Sequence, residues 1–155
     1  MSYVKVTGGD KYEKILQKIA DLKIGVKAGI PAGATTTDGK SIPEYALYNE
    51  LGTRHIPARP FMKKTVDEHQ NEWLDIIAGK LNVEAIVKDD AKNVMGLVGE
   101  VMQAHIKQTI EKGSFAPNAR ATIEAKRRKG KRDPDHPLID TGQMMESVIN
   151  EVVEE

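Results

Sequence analysis

The chain has no cysteine, little aromatic side chain (one Trp, two Phe, four Tyr) and no net charge, with 23 Lys+Arg against 23 Asp+Glu. The first absence excludes disulfides, thiol catalysis and cysteine-based zinc sites, and it fits folding in a cytoplasm. The balanced charge argues against a dedicated nucleic-acid binder. No apolar run approaches the roughly 18 residues of a membrane span, and Met1–Asp10 has no signal-peptide pattern, so no membrane partner is expected.

What remains is a foldable composition. A hydrophobic fraction of 39% in 155 residues suits one domain with a core of its own. Charge is unevenly distributed, however. Between Asn118 and Asp133 stand Arg120, Lys126, Arg127, Arg128, Lys129, Lys131 and Arg132, opposed by Glu124 and Asp133. After Gly142 come Glu146, Glu151, Glu154 and Glu155 with no Lys or Arg. Such asymmetry suits contact with another copy or a charged partner; its plainer reading is a solvated loop and tail.

Periodicity gives the elements. Tyr12, Ile15, Leu16, Ile19 and Leu22 share a helical face behind Asp10, a candidate N-cap. Ile24, Val26, Ala28 and Ile30 alternate as a half-buried strand. A Thr/Gly loop over 31–41 leads to a short helix, Pro43–Leu51, stopped by Gly52. A helix from Pro60 to about Leu81 follows, then one predicted from Val83 to Lys112. At about 1.5 Å per residue the latter reaches roughly 45 Å, more than a small core covers, so part of it is expected to pack on another subunit. Gly96 and Gly99 allow a bend or close approach. Residues 114–137, polar, basic and broken by Pro117, Pro134 and Pro137, read as a mobile arm. A short helix and an edge strand, INEVV, close the chain. The order implies an α+β fold: a small sheet packed by long helices, in a single domain over 1–155 with a flexible loop and a basic arm.

Two short matches to catalytic motifs fail on context. ATTTDGKS (34–41) resembles a relaxed phosphate loop, with Lys40 and Ser41 in the phosphate and magnesium roles. Ile42-Pro43 and a two-turn helix follow it, where a phosphate loop opens into a long helix of a parallel sheet. LIDTG (138–142) matches an aspartic-protease triplet, which needs a second aspartate and further strands; 13 residues follow Gly142. Asp140 or Thr141 capping a short helix, with Gln143 at the reciprocal position, is the local reading. His55, His69, His105 and His136 show no metal-ligand spacing, and His69 beside its acidic neighbours reads as a partly exposed helix residue. Trp73 and the methionines at helical spacing read as core. No catalytic residue, cofactor or metal site is expected.

The stretch NELGTRHIPARPF (49–61) has another explanation. Together with Ala46 and a later block, Pro137, Leu138, Asp140, Thr141, Gly142, Met145, Ser147 and Val148, it resembles the head–tail neck, tail-component or virion-morphogenesis family of tailed phages and prophages. Three blocks occur in order over roughly 22–153, and the arm is more basic than that pattern. The resemblance implies a non-enzymatic assembly protein of the neck or tail-completion position. It would form a ring, of six-fold type in the family, with head-closure and tail proteins as neighbours, located in the virion neck. It marks Asn49, Glu50, Gly52, Thr53, Arg54, Pro57, Arg59, Pro60, Phe61, Asp140, Thr141 and Gly142 as assembly residues.

The residues themselves make physical sense of the corner. Pro57 and Pro60 stiffen it, Pro60 presets the next helix, and Phe61 anchors it in the core. Arg54 and Arg59 carry forks suited to an ion pair, with Glu50 or with a neighbouring subunit, or else to solvent. The alternative class is a nucleic-acid binder acting through the basic residues 120–132, whose affinity would fall steeply with salt; no aromatics interleave them for stacking on single strands.

Overall fold

The computed structural model describes residues 9–154; the reading of Met1–Asp10 falls almost wholly outside them. Helix α1 (Gly9–Ala20) leads to strand β1 (Ile24–Gly29), α2 (Ile42–Leu51), α3 (Phe61–Lys80), α4 (Val83–Val87), α5 (Ala91–Lys112), α6 (Arg120–Arg128), α7 (Gln143–Glu146) and strand β2 (Ile149–Glu154). The fold is α+β, a two-stranded antiparallel sheet packed on long helices. Ile24 pairs with Glu154 at one end of the sheet and Gly29 with Ile149 at the other.

Helix α5 is the spine. Val94, Met95, Val98, Ile106 and Ile110 are buried along it, against α3 on one side and both strands on the other. The strands lie closest at Gly99, where a Cβ would stand 2.6 Å from Asn150 Oδ1 and 2.8 Å from Val26 Cγ2. The close approach expected at Gly99 is therefore real, because an added methyl would have to displace the Asn150 and Val26 side chains. The main core gathers Ile42, Ala46, Phe61, Ile106, Ile110, Leu138, Met144 and Val148. All three blocks of the sequence pattern contribute to it.

Three expectations change. The helix predicted over Val83–Lys112 is two helices. Asp89 takes φ 59°, in the left-handed region, and reverses the chain between α4 and α5. At 22 residues and about 1.5 Å each, α5 spans roughly 33 Å and is covered by this chain's own elements, so its length no longer calls for another subunit. Segment 114–137 is not irregular throughout, because it contains α6. Finally, neither Asp140 nor Thr141 is the N-cap residue of α7, although Thr141 Oγ1 accepts from the Gln143 N–H at 3.5 Å. The N-cap is Gly142, at φ 82° and without a side-chain cap bond, and the Gln143 side chain donates instead to Thr37 Oγ1, at 3.3 Å.

Helix α1 has no buried residue. Tyr12 and Leu16 are exposed to 64% and 47%, and the helix leans on α4. Lys18 helps hold it there, with Nζ 2.7 Å from Asp89 Oδ1 and 2.9 Å from the Val87 carbonyl. Asp10 lies inside its first turn.

Candidate functional site

Glu50, the penultimate residue of α2, does not pair with Arg59. Its carboxylate accepts from the Met62 and Lys63 backbone N–H groups at 2.8 and 2.9 Å. These are two of the unpartnered donors at the start of α3, a helix that otherwise has no side-chain cap. A negative charge there also complements the helix dipole. One residue therefore ends the usefulness of α2 and begins α3.

The chain between the two helices is a tight corner. Gly52 has φ 75°, and a Cβ there would stand 2.9 Å from the Ala58 nitrogen and 3.1 Å from the Ile56 oxygen. Thr53 Oγ1 accepts from the His55 and Ile56 N–H groups, and the Thr53 N–H donates to the Ile56 carbonyl at 2.8 Å. Arg54 and Pro57 are exposed on the outside, and Arg54 has no ion pair among the described residues. Pro60 is the N-cap of α3, and Phe61 is fully buried beneath it.

Arg59 points inward and is 5% exposed. Its backbone N–H donates to the Asn49 carbonyl, and Nη1 donates to Asn49 Oδ1 at 2.9 Å. Nε donates to the Ala116 carbonyl at 2.7 Å and Nη2 to the Pro117 carbonyl at 3.0 Å. Asn49 in turn donates to Tyr45 within α2. The guanidinium thus ties the corner to segment 114–137, a clasp that the planar fork is shaped for. Neither an ion pair nor a solvated surface describes it. Burial pushes its pKa down from the usual value, yet an arginine keeps its proton.

The same segment is tied a second time. Asn118 Nδ2 donates to the His136 carbonyl at 2.9 Å, and Lys126 Nζ donates to the carbonyls of His136 and Ile139 at 2.8 and 2.7 Å. Lys126 is 7% exposed and its pKa is lowered, first by burial. Lys126 is therefore not a solvated cation of the arm: α6 is amphipathic, and Lys126 lies on its inner face. Arg120 pairs with Glu124, Arg127 with Asp135, and Lys131 with Asp140 at 4.0 Å. Arg128, Lys129 and Arg132 remain exposed and without an ion pair among the described residues.

Between corner, arm and the Thr/Gly loop lies a cleft of about 580 Å³. Arg59, Asn118 and Lys126 contribute to it, with Asp140, Thr141 and Gly142 on one side and Thr36–Lys40 on another. That loop is bridged by Thr35 and Ser41 and fastened by Thr36, whose hydroxyl donates to Asp38 and accepts from the Lys40 N–H. With Lys40 also 2.9 Å away, Asp38 is held at a pKa of about 2, chiefly by Thr36 and then by Lys40. Asp38 is the built-in partner of Lys40, and nothing in the loop resembles a phosphate cradle opening into a long helix.

One cluster was invisible in the sequence. His69 on α3 and His105 on α5 stack with ring centroids 3.7 Å apart and planes 11° apart, and Glu72 Oε2 lies 3.5 and 3.7 Å from their ring nitrogens. Ligand atoms of the three lie within 4.8 Å of one another. The geometry suits a proton better than a metal. Trp73 Nε1 donates to His105 Nδ1 at 2.9 Å. An indole nitrogen only donates, so Nδ1 accepts and the proton of the neutral ring sits on Nε2, the nitrogen a metal would need free. Two parallel stacked rings also cannot both aim an in-plane lone pair at one ion. Burial and the neighbouring His69 lower the pKa of His105, while Glu72 raises it.

No helix among the described residues is long and apolar enough to cross a membrane. No protein-family model matches the chain, and no curated protein or solved structure is significantly similar to it.

Proposed function

We propose that this chain is a structural assembly protein of the head–tail junction of a tailed phage or prophage, acting at the neck or tail-completion step. It is not an enzyme in this reading. Copies form a closed ring around the DNA path, between head-closure and tail proteins. The observation that carries the reading is the convergence of the three motif blocks. Asn49, Glu50, Gly52 and Arg59 build one rigid corner, and the Leu138–Gly142 block lines the cleft beside it. A rigid corner with satisfied backbone groups suits a protein whose copies meet at a fixed angle, since heterologous contacts close only when that angle is constant. The exposed apolar face of α1 and the exposed Leu47 and Leu51 of α2 are further surface for such contacts.

Arg128, Lys129 and Arg132, exposed and unpaired among the described residues, support a second reading, phosphate contact by α6 and the turn after it. Light scattering over a concentration series, with and without duplex DNA at two salt concentrations, separates the two. Growth to a discrete oligomer without DNA supports the ring. A persistent monomer that binds DNA with a steep salt dependence supports the second reading and opposes the first.

A further inference from the structure

The cleft contains buried positive charge with no carboxylate in direct contact among the described residues. Arg59 and Lys126 line it, both more than nine-tenths buried. Neither has a carboxylate within ion-pair distance among the described residues; their partners are backbone carbonyls and the side-chain oxygens of Asn49 and Asn118. An ammonium has three N–H donors, and Lys126 uses two. The two acids of the cleft are already engaged, Asp38 with Lys40 and Asp140 near Lys131. Lys129 adds an exposed positive charge on the lining. A buried cation without an anion is costly, so an incoming carboxylate gains more here than on open surface.

Size and lining decide which anion. A space of about 580 Å³ holds several side chains and excludes a DNA duplex, which is about 20 Å across on the groove dimensions of B-form DNA. Leu138 and Met144 in the lining offer apolar contact, which a polyphosphate cannot use. A peptide with carboxylates spaced by apolar residues fits all of this. One such segment is Ile149–Glu155, INEVVEE. Glu151 and Glu154 are exposed. The segment runs away from its own cleft. Glu154 pairs with Ile24 and lies 3.4 Å from Lys92 at the start of α5, whereas the cleft takes in Asn118 and Lys126, which follow the far end of that helix. The Lys92–Glu154 pair is exposed on both sides and easily exchanged.

We propose that the cleft receives an acidic peptide segment, and that its occupant is the Glu151–Glu154 end of β2 from a second copy of this chain. The contact joins two different surfaces, so it propagates head to tail. The choice of occupant rests on the self-assembly proposed above; the acidic-peptide chemistry of the cleft does not.

The test titrates the full chain at low concentration with the synthetic peptide INEVVEE, with the uncharged INQVVQQ, and with a DNA oligonucleotide as competitor, by calorimetry. The acidic peptide is expected to bind, at least tenfold more tightly than INQVVQQ, and to lose at least tenfold on Lys129→Glu, an exposed change that spares the clasp. Equal or absent binding of both peptides overturns the proposal, as does displacement by the oligonucleotide. Oligomer mass is then measured for the chain carrying Glu151→Gln and Glu154→Gln, which is expected to stay monomeric where the unaltered chain assembles. Normal assembly of that variant overturns the cleft contact and leaves the ring standing. Peptide binding by an unaltered chain that never assembles overturns the second-copy occupant together with the ring.

Discussion

The guanidinium of Arg59 holds the carbonyls of Ala116 and Pro117, 57 and 58 residues further along the chain. A single side chain thus joins the corner after α2 to the segment that carries α6. Arg59→Lys keeps the charge and loses the fork. Hydrogen bonds to charged groups contribute about 1.5–3 kcal/mol each, and the carbonyls left behind lose their partners. Urea unfolding is expected to show a loss of about 2–4 kcal/mol, with Arg59→Met at least as damaging. A change under about 0.5 kcal/mol would mean that the clasp is not structural.

Gly52→Ala combines two costs, a positive φ of 75° and a Cβ 2.9 Å from the Ala58 nitrogen. Backbone is what the methyl meets, and backbone cannot rotate away. About 1–3 kcal/mol of destabilisation is expected, read as a drop in thermal midpoint. Gly33→Ala, where a Cβ meets nothing within 4 Å and φ is not positive, is the control and should be close to neutral.

Glu50 tests the cap on α3. Glu50→Ala removes both acceptors of the Met62 and Lys63 N–H groups and is expected to cost about 1–2 kcal/mol. Glu50→Gln keeps one acceptor oxygen and should cost about half of that. Amide exchange in the first turn of α3 is expected to accelerate in both variants, more in the alanine one.

The stacked His69–His105 pair makes the α3–α5 contact sensitive to acid. The folded-state pKa of His105 is lowered from 6.5, so the unfolded chain takes up the proton first. Stability from this group is full above about pH 6.5 and falls as pH drops from there to the lower folded-state value, below which the loss levels off. Unfolding at pH 7.5 and 5.5 is expected to show that fall, and His105→Gln to flatten it. An unchanged slope in the variant would place the titration elsewhere.

Much of the scaffold could be read in the residues. The alternation Ile24–Ile30 marks β1, and Gly52 marks the end of α2. What failed has physical causes. Apolar residues keep helical phase from Val83 to Ile106, and no proline or glycine interrupts 88–90, so the reversal at Asp89 was hidden; the side-chain cap at Asn82 and the paired Asp89 and Asp90 were the only signs. Helix α6 hid in a basic run, although Ala, Glu, Lys and Arg between Pro117 and Gly130 are good helix formers. Arg59 and Lys126 were missed as interior groups because long cations are almost never fully buried without a partner. Their partners are carbonyls, which every residue supplies and no sequence pattern marks. The His69–His105 stack joins positions on two helices, and nothing local announces it.

The most direct measurement is electron microscopy of the purified chain at high concentration, with the particles sorted into class averages. Closed rings of one size with a central opening wide enough for duplex DNA, about 20 Å, are what the assembly reading predicts. Particles that remain single copies at every concentration, or that grow into open filaments, would contradict it.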